Sequence, residues 1–360
     1  MSLCPQQLNP AELPFLFKKE FELCNVTKEE TIVLIGDLKT RPEYVAASFA
    51  AAGELGASIY ELKVPNSFSS TLLAQGDYIM QARGAMEAVE AADLCVFFGL
   101  PIGSDMMERA RAKGTRFLLV MDHPDDLRRL MSPPGLKEAC LAAADRLQRS
   151  RELRVTNDAG TDLRAGIGDM DARCQYGYAD KPGRLDHWGA GHCTIWPNLD
   201  SAEGVVVMKP GDSWCLPYVR YVEHELRLTI EKGKIVNIEG KADAALMLQY
   251  FRAFQADADD DRPWHVGHLG WGLNPNGALD QIANTGPSIE RLAGTARSWA
   301  GSFLFSTGPN DMLGKMRPKP HIDAPMMDCT VTLDGETVIE RGEVVDPSMR
   351  VRQTLPLRLG

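Results

Sequence analysis

The chain has 360 residues, 44% of them hydrophobic and 24% charged, and carries a formal net charge of -10. That composition excludes a disordered chain, and the negative balance argues against nucleic acid, whose phosphates call for clustered Lys and Arg. At this length two domains are expected rather than one core.

The opening stretch, "MSLCPQQLNPAELPFLFKKEFELC", lacks a basic segment followed by an apolar one, so no signal peptide is expected. Short apolar runs then appear at "TIVLIGD" (31–37), "ASIYELKV" (57–64), "DLCVFFG" (93–99) and "TRFLLVMD" (115–122). Between them lie segments with helical spacing, such as "RPEYVAASFAAAGELG" and "GLKEACLAAADRLQRS". Continuous apolar strands separated by helices predict a parallel sheet covered on both faces, a Rossmann-like α/β domain over residues 1–150. The turn after the first run, "GDLKTRP", lacks the glycines that let backbone approach a pyrophosphate, so no nucleotide cofactor is expected. Apolar runs of this length are too short to span a bilayer. The eight cysteines form no C-x-x-C pair and read as reduced thiols. A soluble, cytoplasmic protein with no membrane partner is the expectation.

After about Arg151 the texture changes. "RELRVTND", "TDLRAGIG", "EGVVVMKPGD", "ELRLTIEKGKIVNIEG" and "DCTVTLDGETVIERGEVV" alternate with period two and break at Gly and Asp turns, which predicts antiparallel sheet. One long helix, roughly "ADAALMLQYFRAFQ", interrupts it. Residues 151–360 are therefore expected to form a largely antiparallel α+β domain. It holds six of the seven histidines, His187, His192, His224, His265, His268 and His321.

Three clusters in that half carry chemistry. "HIDAPMMDC" places His321 and Asp323 two apart, so that on an extended chain both face away from a buried Ile322. "DHWGAGHC" holds Asp186, His187 and His192, and "WHVGHLGWGLNPN" holds His265 and His268 in a glycine-rich stretch. Two histidines and one carboxylate make a facial triad, the donor set of non-haem Fe(II) oxygenases, with positions left open for other ligands. Spacing alone does not choose the third ligand among His187, His192, His265 and His268.

Beyond spacing, the segments "YGYADKPGRLDHW", "WPNLDSAEGVVV", "HLGWGLNP", "GSFLFSTGPN" and "HIDAPMMDC" resemble the 2,5-dihydroxypyridine 5,6-dioxygenase family of ring-cleaving enzymes. The likeness runs through most of residues 150–330 and continues more weakly over the first half. It implies Fe(II) as cofactor, held by His268, His321 and Asp323, with O2 and a small hydroxylated N-heteroaromatic ring as substrates. It also implies that His187 lies beside the substrate, as a base for the hydroxyl proton; the alternative is a supporting histidine hydrogen-bonded to Asp186. Arg297 is the candidate for balancing an anionic substrate, against a surface salt bridge. Gln175, Asp186, His192 and Trp271 are expected around the substrate. Two departures bear on the accepted ring: Gln175 stands where the family pattern has Glu, and Leu100 to Ser104 replaces a histidine-bearing loop.

The fold also resembles a family of metallo-aminopeptidases, the alternative reading. Those enzymes carry a Glu-x-x-x-G-x-N-P segment where this chain has His268 to Pro275, and G-E-V-F-T-A-P where it has Gly191 to Pro197. Losing both glutamates removes charge needed to hold two divalent ions close together. A non-enzymatic binding protein on the same scaffold ranks last. Enzymes of this size and type are commonly homo-oligomers, so self-association is expected.

Overall fold

The computed structural model describes residues 8–65, 77–99, 104–216, 218–278, 294–307 and 321–352. The α/β plus α+β class read from the sequence is the one the molecule adopts. Its chain forms two compact units, and they interleave rather than meeting once near residue 150. Of the described residues, those up to Met131 together with Gly177–Gly189 form the first unit; Ser132–Tyr176 and those from Ala190 onward form the second.

In the first unit, parallel strands Ser58–Lys63, Thr31–Gly36, Leu94–Phe97, Arg116–Leu119 and Leu185–His187 lie side by side in that order. The inner strands are buried along nearly their whole length because helices cover both faces, which is why they read as continuous apolar runs. The outer strand Ser58–Lys63 instead alternates. Phe17, Phe21, Tyr44 and Trp188 anchor the core, with Phe17 edge-on to Trp188 at 5.0 Å. The last strand explains the interleaving: Phe117 pairs with Leu185 and Leu119 with His187, so a segment far along the sequence completes this sheet.

The second unit holds an eight-stranded antiparallel sheet and a five-stranded antiparallel sheet. The smaller one is ordered Ile322–Met326, Phe303–Thr307, Val266–Gly272, His192–Ile195, Arg173–Gln175. The helix Ala242–Phe254 belongs to the same unit. Among the described residues no disulfide forms, and no helix is long and apolar enough to cross a membrane.

Candidate metal centre

Pairing in the five-stranded sheet sorts its side chains into two faces, because residues directly opposite share a face and neighbours along a strand alternate. Gly270 lies opposite Thr194 on one side and Leu304 on the other; Thr194 lies opposite Arg173, and Gly272 opposite His192, itself opposite Gln175. Ser306 lies opposite Asp323. One face therefore carries Arg173, Gln175, His192, Thr194, His268, Ser306 and Asp323. The other carries Cys193, Ile195, Leu269, Trp271, Phe303, Phe305, Ile322 and Ala324, and it is the apolar packing face. Between Val266 and Leu269 the register slips, so that Gly267 and His268 together oppose Ser306. A bulge of this kind re-aims a side chain, and here it brings His268 across Ser306 toward Asp323.

The result is a compact group of three donors. His268 Nε2 lies 3.2 Å from His321 Nε2 and 3.4 Å from Asp323 Oδ1, and His321 Nε2 lies 3.1 Å from the same oxygen. Ligand–ion bonds of about 2.1 Å put neighbouring donors about 3.0 Å apart at right angles and about 3.4 Å apart in a tetrahedron. The observed edges fall in that span, so one ion fits the group. The carboxylate agrees: Asp323 Oδ1 is buried without a hydrogen-bond partner. Burial pushes the His268 imidazole down to about 3, with His321 and Arg297 adding to the effect against the pull of Asp323. Its nitrogen thus offers a lone pair rather than a proton. Burial alone would raise the Asp323 carboxyl, but His321, His268 and Arg297 hold it well below the usual carboxylate range. An anionic oxygen and a neutral imidazole are what a divalent cation takes.

Several residues hold these donors in place, and the sequence reading missed most of them. Tyr250, from the helix Ala242–Phe254, accepts the backbone N–H of His321 at 2.9 Å and donates to the same residue's carbonyl at 3.3 Å. Burial pushes its hydroxyl up to about 12, so it keeps the proton it donates. Trp196 meets His268 edge-on at 5.3 Å, and Arg173 lies 4.7 Å from the centre of the Trp196 ring. Tyr250→Phe should strand a backbone N–H and loosen His321; outer-shell partners of this kind typically cost about 10- to 100-fold in metal affinity. Competition with a chelator reads that loss, and an unchanged affinity would remove Tyr250 from the centre's support.

The other candidates are placed as follows. Gln175 and His192 share the sheet face that carries His268 and Asp323, whereas Trp271 lies on the opposite, apolar face, fully buried. Its expected position at the substrate is corrected by strand alternation: three residues from His268, it points the other way. Arg297 is buried rather than on the surface, with Nη1 2.9 Å from Asp323 Oδ2. His187 belongs to the first unit, where its Nε2 lies 2.8 Å from Asp122 Oδ2, both side chains almost wholly buried. The alternative hydrogen bond to Asp186 is made by the His187 backbone rather than by its ring. Adjacent strand residues face opposite ways, and Asp186 accepts the backbone N–H of His187, that of Gly177 and the Arg184 guanidinium. His265 lies 3.6 Å from Asp261, apart from the three donors. Residues 100–103 of the departing loop lie outside the described residues.

Residues 12–346 match the family model described as NicX, 2,5-dihydroxypyridine 5,6-dioxygenase. The chain is 34% identical over 349 residues to a 2,5-dihydroxypyridine 5,6-dioxygenase of Pseudomonas putida KT2440, covering 94% of this chain and 97% of that protein. A solved 2,5-dihydroxypyridine dioxygenase from the same organism superposes with a TM-score of 0.88 at 32% identity, over 96% of this chain and 100% of the other. AmpT from Thermus thermophilus superposes at 0.59 with 15% identity, over 93% and 99% of the two chains, a likeness of fold alone.

Proposed function

Because the chain belongs to the 2,5-dihydroxypyridine 5,6-dioxygenase family, we propose that it opens a dihydroxylated pyridine ring with O2, using a ferrous ion held by His268, His321 and Asp323. The substrate is 2,5-dihydroxypyridine or a close analogue, and with the former the product is N-formylmaleamate. The observation that carries the reading is the convergence of two imidazoles and one carboxylate, with edges of 3.1 to 3.4 Å, in a chain of this family. The metallo-aminopeptidase alternative keeps only a relation of fold.

Iron suits this donor set, and when bound it would bring the electron-rich ring and O2 together and relay electron density between them. The protein's own groups do the rest. His268 and His321 supply neutral nitrogens, and Asp323 supplies the single anionic donor. We assign His187 as the base that takes the substrate's hydroxyl proton, a role worth about 100- to 10,000-fold. Asp122, with Oδ2 2.8 Å from Nε2, is the carboxylate beside that imidazole. Gln175 and His192, on the sheet face of His268, are assigned to the substrate's surroundings. We infer that the enzyme works as a cytoplasmic homo-oligomer, a state that light scattering measures.

Anaerobically purified protein loaded with Fe(II) should consume one O2 per 2,5-dihydroxypyridine and bleach the ring's ultraviolet band. It should leave an aminoacyl chromogenic substrate intact. Absence of oxygen uptake across a panel of hydroxylated pyridines would overturn the proposal.

A further inference from the structure

We propose that Arg297 is a positioning residue that keeps the Asp323 carboxylate monodentate, so that positions around the metal stay open for the ring and for O2. This rests on the metal centre proposed above. The two carboxylate oxygens are already divided between two tasks. Oδ1 faces the imidazole nitrogens at 3.1 and 3.4 Å and has no hydrogen-bond donor, whereas Oδ2 is taken by Arg297 Nη1 at 2.9 Å. A carboxylate with both oxygens free can swing to chelate, as it does in many cation sites. Each extra protein oxygen on the metal occupies a position that a facial triad leaves vacant.

To chelate here, Asp323 would have to release Oδ2 from a guanidinium that is itself buried and would lose its anion. The carboxylate's own backbone is held on both sides. Asp323 pairs with Ser306 across the sheet, its carbonyl accepts the Cys215 N–H at 2.8 Å, and its N–H reaches Leu216 at 3.3 Å.

The guanidinium is mounted just as firmly, from the strand that carries His268. The short helix Gly294–Ser298 holds Arg297, and the segment is tied down where Asn274 N–H meets the Ser298 carbonyl at 2.7 Å. Gly272 exchanges backbone bonds with Ser302 and Gly301, each at 3.0 Å. A Cβ at Gly272 would sit 2.1 Å from the Trp299 carbonyl, so the glycine is what lets the arginine's segment lie against this strand. The Nη1 arm of the guanidinium is thus held against Asp323 Oδ2.

The test is infrared difference spectroscopy of protein labelled with 13C-aspartate, recorded on adding Co(II) to the metal-free form. Wild type should show the wide splitting of carboxylate stretches that marks a monodentate ligand. Arg297→Met should narrow it to that of a chelate, Arg297→Gln should do the same if the apolar variant folds poorly, and Arg297→Lys should restore the wide splitting by returning a cation. With Fe(II), turnover of the Met or Gln variant should fall about 10- to 100-fold, the usual cost of an outer-shell partner, with the loss in kcat rather than KM. A monodentate signature retained in both neutral variants overturns the proposal, as does a rise in KM with unchanged carboxylate bands. Failure of wild type to take up Co(II) would sink the metal centre itself, and this assignment with it.

Discussion

Replacing His268 with alanine should abolish metal loading and ring opening together. His268 comes from a strand in which every residue is buried, so its imidazole is fixed by the surrounding packing rather than by the ion. Its low basicity, pushed down to about 3, means no proton has to be displaced at any working pH before the nitrogen binds. Without it two donors remain, His321 and the Asp323 carboxylate, and one face of the ion is unheld. Removing an outer-shell partner costs about 10- to 100-fold in metal affinity, so losing a ligand should cost more than that. After dialysis, elemental analysis should find well under one equivalent in His268→Ala, and an oxygen electrode should record no uptake. The truncation leaves space the size of an imidazole beside Trp196, so added imidazole should restore part of the activity. One full equivalent of metal with turnover near that of wild type would move the centre away from this residue.

The sequence made half of that centre legible and hid the other half, for physical reasons. His321 and Asp323 were readable because an H-x-D on an extended chain puts both side chains on one side, and the intervening Ile322 is indeed buried. His268 was one histidine among four because its strand, "VGHLGWG", is buried on both faces, and its period-two pattern is broken by the bulge between Val266 and Leu269. The bulge that turns it toward Ser306 leaves no mark in the residue order. The parallel half was visible in its continuous apolar runs, yet Leu185–His187 was not, since three residues carry no period. That hidden strand brings His187 beside Asp122. Asp122 itself had a signal, standing just past the carboxyl end of the strand Arg116–Leu119, where sites on parallel sheets gather. Tyr250 and Trp196 had none, because their contacts depend on a fold that brings distant segments together.

Alanine at Gly270 should strongly destabilise the protein, while the same substitution at Gly53 should stabilise it. At Gly270 a Cβ would lie 1.9 Å from the Cys193 carbonyl oxygen and 2.9 Å from the Thr194 Cα. Both obstacles are backbone of the neighbouring strand His192–Ile195, so no rotamer change relieves the clash and the two strands must part. Overpacking typically costs about 1–3 kcal/mol, and a collision with main chain belongs at or beyond the upper end. Gly53 lies in the helix Pro42–Leu55 with nothing within 4 Å of its would-be Cβ, and alanine in a helix interior is worth about 0.5–1 kcal/mol over glycine. Urea melts of the two variants should therefore move in opposite directions. The Gly270 variant should also lose metal affinity, because the strand it forces away carries His268, whereas the Gly53 variant should bind metal as wild type does. Equal midpoints for wild type and Gly270→Ala would mean the strands can separate without cost, and the close approach at Gly270 would then no longer account for the glycine beside the metal-binding histidine.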